Sequence, residues 1–395
     1  MPAFSAFSSW VKKLLLGLLA LALVLPAVQA KWHLLAVAPL GGYAPPAEHP
    51  RFSWQSLRAG EYQDQLDHYL SDRLGFRELA IRARNQVAYS AFHEIHAIDV
   101  LLGQREVLYQ GGPAEAYVSH DYLGDAAIAE HAQRVRNVQD SLAQHGVQLL
   151  YVLAPGKPGY QPEDLPPGVQ AMYTGITNYS TFARVLPAAG VHVLDASVLF
   201  KQWKLHTPHP LFPRGGTHWS GYGVTRVADT LFKAVAALTH AHLPAFAARP
   251  GLVTTDPDSL RYTDADIALG LNLLRMPTPY PMAYPRLTFT PPTAAQTQLN
   301  ALVIGDSFTQ SFYGFYPYFQ HLLSARSRFW YYNELVYWPT PAPGEKYVVH
   351  ELDLREQLAG RQLVIILATE QNMVKKSFGF IDQVYELYHP DTPGK

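Results

Sequence analysis

The sequence predicts an exported α/β protein built on a largely parallel sheet flanked by helices. Three observations carry that prediction. Strand-like and helix-like stretches alternate from about residue 126 onward, as βαβ units do. The run Ala301-Leu302-Val303-Ile304 is continuously apolar, as a parallel strand covered on both faces must be. At the N-terminus, Lys12 and Lys13 precede an unbroken apolar run over residues 14–28.

Taken in order, residues 1–30 read as a signal peptide or a signal-anchor. Val28-Gln29-Ala30 has the small residues of a signal-peptidase site, while Trp32 and apolar residues 34–40 would extend an uncleaved anchor. Residues 31–51, rich in Pro, Gly and Ala, read as a linker. The folded domain is expected over 52–390. It begins with a helical N-terminal segment, a hairpin over 61–92 whose apolar spacing is interrupted near Gly75. Two short strands follow over 100–109, closed by Gly111-Gly112-Pro113. Helices are predicted over 126–145, 179–186, 221–238 and 378–388, and strands over 147–153, 191–194, 300–304 and 362–367. The Pro-rich interval at about 243–298 fits no regular element and reads as an insertion over the sheet.

Composition excludes several classes. With 395 residues, 48% of them hydrophobic, the chain can bury a large core. Its 31 basic and 32 acidic residues give no basic footprint, so no nucleic-acid partner is expected. The absence of cysteine removes disulfides, thiol catalysis and Cys-ligated metals. His93-Glu94-Ile95-His96 lacks the spacing that puts two ligands on one helical face, and His206 and His209 have no visible third ligand. No metal and no cofactor is expected.

Chemistry, if present, centres on Gly305-Asp306-Ser307-Phe308, where the apolar strand ends. The carboxyl edge of an open parallel sheet is where ligands bind, because loops and helix N-termini gather there. The bland reading of Gly-Asp-Ser is a helix N-cap, with Asp306 in a turn or capping role. A serine nucleophile also needs a base within reach. Of 17 histidines, His218 is distinctive: it lies in Gly215-Gly216-Thr217-His218-Trp219-Ser220, opening directly into a predicted helix. There the bland reading is capping by Thr217 or Ser220, with Trp219 as a packing anchor.

The Thr217-His218-Trp219 loop, followed later in the chain by Gly305-Asp306-Ser307, resembles the SGNH-hydrolase-like domain of the alginate O-acetyltransferase AlgX/AlgJ family. The resemblance extends to Gly60-Glu61-Tyr62-Gln63, Asp72-Arg73-Leu74-Gly75-Phe76-Arg77 and Asn85. It also covers Leu102-Gly103 with Val107-Leu108-Tyr109, where Val107 stands in place of the usual Trp. It implies an SGNH-hydrolase-like (flavodoxin-like) fold and a periplasmic O-acetyltransferase acting on an exopolysaccharide. Ser307 would be the nucleophile, His218 the base, and the Ser307 or Phe308 amide an oxyanion donor. The implied partners are a polysaccharide acceptor and a membrane-bound acyltransferase as acetyl donor, with possible inner-membrane association. The same residues would serve an acetylesterase.

One departure stands out. The family places Asp two residues before the histidine; this chain has Gly216. Asp195, after the strand over 191–194, is the geometric candidate to replace it, and capping of the following segment is its plainer role. A non-catalytic glycan-binding or scaffold subunit of a polysaccharide acetylation-export complex is the alternative that Gly216 motivates. Glu370 and Asn372 follow the strand over 362–367 and would reach the same edge, Asn372 as an oxyanion side chain. Trp219 is a further substrate-side candidate. The aromatic stretch from Arg326 to Trp338, including Tyr332, is read as core packing ahead of glycan contact.

Overall fold

The structure is a computed structural model and describes residues 9–42 and 46–390. Its contacts divide the chain into two units, Met1–Ala97 with Leu269–Met276, and Ile98–Ala268 with Pro277–Lys395.

The first unit is helical. An apolar, solvent-exposed helix, Ser9–Trp32, is long enough over Trp10–Trp32 to cross a membrane. Helices Trp54–Ala59, Glu61–Asp72 and Arg77–Val87 follow, the first capped by Ser53 accepting from the Ser56 amide. The break expected near Gly75 is present. A Cβ there would lie 2.2 Å from the Pro26 carbonyl oxygen, so only glycine fits. Leu269–Met276 belongs to this unit through the Asn85 amide, which donates to the Leu271 carbonyl, and the Arg275 N–H, which donates to Gln86.

The second unit is α/β. Its strands are β1 (Val100–Leu102), β2 (Leu108–Gln110), β3 (Gln148–Ala154), β4 (Val193–Asp195), β5 (Phe246–Thr254), β6 (Met282–Phe289), β7 (Ala301–Gly305), β8 (Arg328–Tyr331), β9 (Leu335–Trp338) and β10 (Leu363–Thr369). The central sheet has the order β4-β3-β10-β7-β8-β9 and is parallel except for β9. Strands β7 and β10 are buried along their whole length, which is why they read as unbroken apolar runs rather than alternating ones. Their side chains still alternate between faces. Val303, Ile365 and Leu367 pack into one core with the Gly221–Thr239 helix. Leu302, Ile304, Val364 and Ile366 pack into the other, with helices Asp125–Gln144, Asn178–Ala188 and Phe380–Tyr388.

Two sequence expectations need correction. Gly111-Gly112-Pro113 does not simply close the β1/β2 hairpin; it begins the Gly111–Tyr117 helix, because proline in a first helical turn forfeits no hydrogen bond. The 243–298 interval is not free of regular structure. β5 and β6 form a two-stranded antiparallel ribbon, and Asp266–Gly270 forms a short helix. Prolines are tolerated because every strand of a two-stranded ribbon is an edge, and the ribbon slips register at Pro250-Gly251. A Cβ at Gly251 would meet the Tyr284 carbonyl oxygen at 2.0 Å.

Candidate active site

Ser307 opens a 3-10 turn directly after β7. The turn is tight enough that a Cβ on Gly305 would lie 2.2 Å from Thr309 Oγ1. Asp306, fully buried, fastens it: Oδ1 accepts from the Phe308 amide at 3.1 Å. Oδ2 accepts from the Thr369 amide (2.9 Å), the Thr369 hydroxyl (2.6 Å) and the Asn372 side chain (2.9 Å). Burial pushes the Asp306 carboxyl above its ordinary range, and these donors pull it back. The serine turn is thereby tied to the neighbouring strand β10.

His218 arrives from the loop before the Gly221–Thr239 helix. That helix begins where Ser220 caps the Gly223 amide at 2.9 Å, and it buries Val224, Val227, Leu231 and Val235. Trp219 is fully buried between the two motifs. Its indole N–H donates to Ser311 at 2.6 Å, and its ring meets Phe308 at 5.2 Å and Phe312 at 5.7 Å. Histidine and serine turns are thus locked through one side chain. His218 Nε2 stands 2.9 Å from Ser307 Oγ.

The carboxylate at His218 is Asp266, not Asp195. Asp266 Oδ2 is 2.6 Å from His218 Nδ1, and its Oδ1 accepts the Thr217 amide at 2.9 Å. A carboxylate at Nδ1 puts the ring proton there and leaves Nε2 to accept from the serine hydroxyl. Asp195 instead caps the Ala196–Lys204 helix through the Val198 amide and accepts from the Tyr179 hydroxyl at 3.1 Å. Sequence reasoning missed Asp266 because it lies inside the insertion.

Gly215 and Gly216 explain how Asp266 reaches the histidine. A Cβ on Gly216 would lie 2.4 Å from the Thr263 carbonyl oxygen, and one on Gly215 would lie 2.8 Å from Ala268 Cβ. The bare backbone lets the 263–268 segment dock, and the Gly215 carbonyl accepts the Ile267 and Ala268 amides at 3.1 and 2.9 Å. The insertion's ribbon holds the other side. The Tyr284 hydroxyl accepts the Arg261 amide at 3.0 Å and donates to Asp264 at 2.6 Å, turning Asp264 away from the histidine. The residue type that removes the local carboxylate is therefore the one that admits the distant one.

Two further side chains complete the surroundings. Lys157 is buried, and its ammonium donates to the carbonyls of Leu108 (2.7 Å), Arg214 (2.9 Å) and Gly216 (2.9 Å), fixing the loop that carries His218. Burial pushes this ammonium down to about 7, while the nearby Asp266 charge favours its protonated form. Tyr332 stands at the end of β8 with φ of +53°. Its amide donates to the Gly305 carbonyl at 2.8 Å, and its hydroxyl meets Ser307 and Asn372. Burial, followed by the Asp306 charge, pushes the phenol up to about 12, so it is a hydrogen-bond donor at neutral pH.

Of the other sequence candidates, the Phe308 amide is occupied by Asp306, and Asn372 is a brace for the serine turn. Trp219 is sealed from substrate by its burial. Phe329 and Trp330 of the aromatic stretch are core, as expected, while Tyr337 is exposed.

Among solved structures, the O-acetyltransferase domain of Pseudomonas putida AlgJ is 20% identical, covering 73% of this chain and 99% of that one, with a TM-score of 0.44. Pseudomonas aeruginosa AlgX is 16% identical, covering 80% and 71%, with a TM-score of 0.46. Bacillus cereus PatB1 with a sulfonyl adduct is 14% identical, covering 71% and 99%, with a TM-score of 0.44. No curated protein matches the chain significantly. The family model for the SGNH hydrolase-like domain of acetyltransferase AlgX matches residues 100–326, which span both the histidine and the serine turns, and the chain belongs to that family.

Proposed function

We propose that this protein is an O-acetyltransferase that moves acetyl groups onto hydroxyls of an exopolysaccharide through an acetyl-Ser307 intermediate. The observation that carries the reading is the continuous relay from Ser307 through His218 to Asp266, at 2.9 and 2.6 Å. In the first half, His218 Nε2 takes the Ser307 proton as Oγ attacks the acetyl carbonyl, and Asp266 stabilises the imidazolium. His218 returns the proton to the leaving group, and acetyl-Ser307 remains. In the second half a sugar hydroxyl gives its proton to Nε2, attacks the acetyl carbon and frees Ser307. The Ser307 amide, at the start of its turn, and the Tyr332 hydroxyl are the oxyanion donors in this reading.

Family membership and the apolar Ser9–Trp32 helix support export to the periplasm, by a cleaved signal or with retention at the inner membrane by an anchor. The acetyl donor in this reading is a membrane-bound acyltransferase. Incubating the protein with an activated acetyl ester, with and without oligosaccharide, tests the proposal. Acetylated oligosaccharide that disappears in Ser307→Ala and His218→Ala supports transfer. Acetate release with no acetylated sugar makes the protein an acetylesterase. Saccharide binding without any acetyl turnover leaves the scaffold reading.

A further inference from the structure

Beside the serine turn, at the same carboxyl edge of the sheet, lies a cleft of about 420 Å³. It sits over the ends of β3, β4 and β10. Glu370, in its wall, directly follows Thr369, the residue that binds the Asp306 carboxylate. Gly159 and Tyr160, also in its wall, share the short Lys157–Tyr160 helix with Lys157, which holds the Gly216 carbonyl. The cleft is thus joined to the candidate active site from two sides. Its volume falls within the range of roughly 300–1,000 Å³ that takes small ligands.

The lining is aromatic and hydrogen-bonding together. Tyr117 and Tyr173 stack at 4.4 Å and 7° between planes, and Tyr173 remains 45% exposed, with Met172 and Ile176 exposed alongside it. A flat tyrosine pair held open to solvent is a platform for the apolar face of a pyranose ring. Both charge types occur in the wall. Lys204 pairs with Glu163, and the Lys201 charge acts on Glu370. The Glu370 carboxyl is accommodated over Gly159, where any Cβ would collide with it. Its Oε1 is sealed inside the fold, its Oε2 lies against Gly159 of the cleft wall, and the carboxyl meets the Ser197 hydroxyl and the Gly156 backbone. A sugar hydroxyl bonds to that carboxyl in either protonation state without adding charge to the wall.

We propose that this cleft is a saccharide subsite that holds a neutral sugar unit of the acceptor chain, away from the hydroxyl being acetylated, on the Tyr117/Tyr173 platform and the Glu370 carboxyl. The proposal rests on the acetyl-transfer reading for the word acceptor, but binding at the cleft is independent of it. The test therefore uses the Ser307→Ala protein, full chain, so that no turnover enters the measurement. Titration with cellohexaose and with a hexameric polyuronate is followed by calorimetry. The neutral oligosaccharide is expected to bind, and Tyr173→Ala and Glu370→Gln are each expected to weaken it about tenfold, the loss of one stacked ring or one carboxyl hydrogen bond. Tyr173 is exposed, so its variant keeps the fold even if Glu370→Gln does not. Cellohexaose affinity unchanged in Tyr173→Ala, binding of the polyuronate alone, or no saccharide binding at all would overturn the subsite. Acetyl transfer lost in Ser307→Ala while these affinities stay unaltered by cleft variants would leave the catalytic reading standing and remove only this one.

Discussion

Replacing Asp266 with asparagine isolates what the distant carboxylate contributes. The side chain accepts two hydrogen bonds, from His218 Nδ1 at 2.6 Å and from the Thr217 amide at 2.9 Å. An amide of the same size has one acceptor oxygen for those two donors, so one bond is lost or the NH₂ group is turned toward the ring. The larger effect is the loss of charge when, in the proposed mechanism, His218 becomes a cation in the transition state. At about 4 Å and an effective dielectric constant of about 20, that attraction is ~4 kcal/mol. His218 and Asp266 side chains are 16% and 26% exposed, so solvent screens part of it. A loss of ~2–4 kcal/mol corresponds to a rate lower by roughly 30- to 1,000-fold. The assay is the initial rate of acetate release from an activated acetyl ester, with circular dichroism to verify folding. Asp195→Asn serves as the comparison and should alter the rate by less than about threefold. The double variant Gly216→Asp/Asp266→Asn should not recover activity, because a Cβ at 216 collides with the Thr263 carbonyl at 2.4 Å. An Asp266→Asn enzyme within about threefold of the parent, or recovery by the double variant, would refute the reasoning.

Gly305→Ala should lower the thermal midpoint and nearly abolish activity, since its Cβ would fall 2.2 Å from Thr309 Oγ1 and overpacking of this kind costs ~1–3 kcal/mol. Thermal unfolding and ester turnover read it together. His131, buried 2.9 Å from Ser377 Oγ, has its folded pKa pushed by burial from 6.5 down to about 4. The unfolded chain therefore binds the extra proton between those values, and stability falls as pH drops from 6.5 toward 4, by up to ~3 kcal/mol from this residue. Glu370 and Asp264, both raised to about 7 by burial, work in the opposite sense: their carboxyls are held protonated in the fold, so stability declines as pH rises from their ordinary range through 7. The difference in urea unfolding between His131→Gln and the parent at pH 4.5 and 7 isolates the histidine, and an equal difference at both would sink that assignment.

Much of this molecule was legible in one dimension because its signals are local. β7 and β10 announce themselves as unbroken apolar runs, since a parallel strand with helices on both faces has no polar side to show. Ser307 and His218 were found because each sits where a regular element meets a turn, and turn chemistry is written in adjacent residues. The insertion was less readable: the β5/β6 ribbon has edges on both strands and little burial on one face, so its pattern resembles loop. Tyr332 was submerged in an aromatic stretch whose neighbours Phe329 and Trp330 are core.

The sequence by itself determined the apolar N-terminal run, the parallel sheet and the pairing of a strand-end serine with one histidine among 17. Tertiary structure alone decided which carboxylate completes the relay. Asp266 is separated from His218 by 48 residues and carries no motif of its own. Its position follows from two glycines whose missing Cβ atoms admit the 263–268 backbone, and from a tyrosine on β6 that anchors the approach to it. Hydrogen-bond geometry at 2.6 Å depends on where folded segments touch, and contact between segments distant in sequence leaves no periodic trace in either of them.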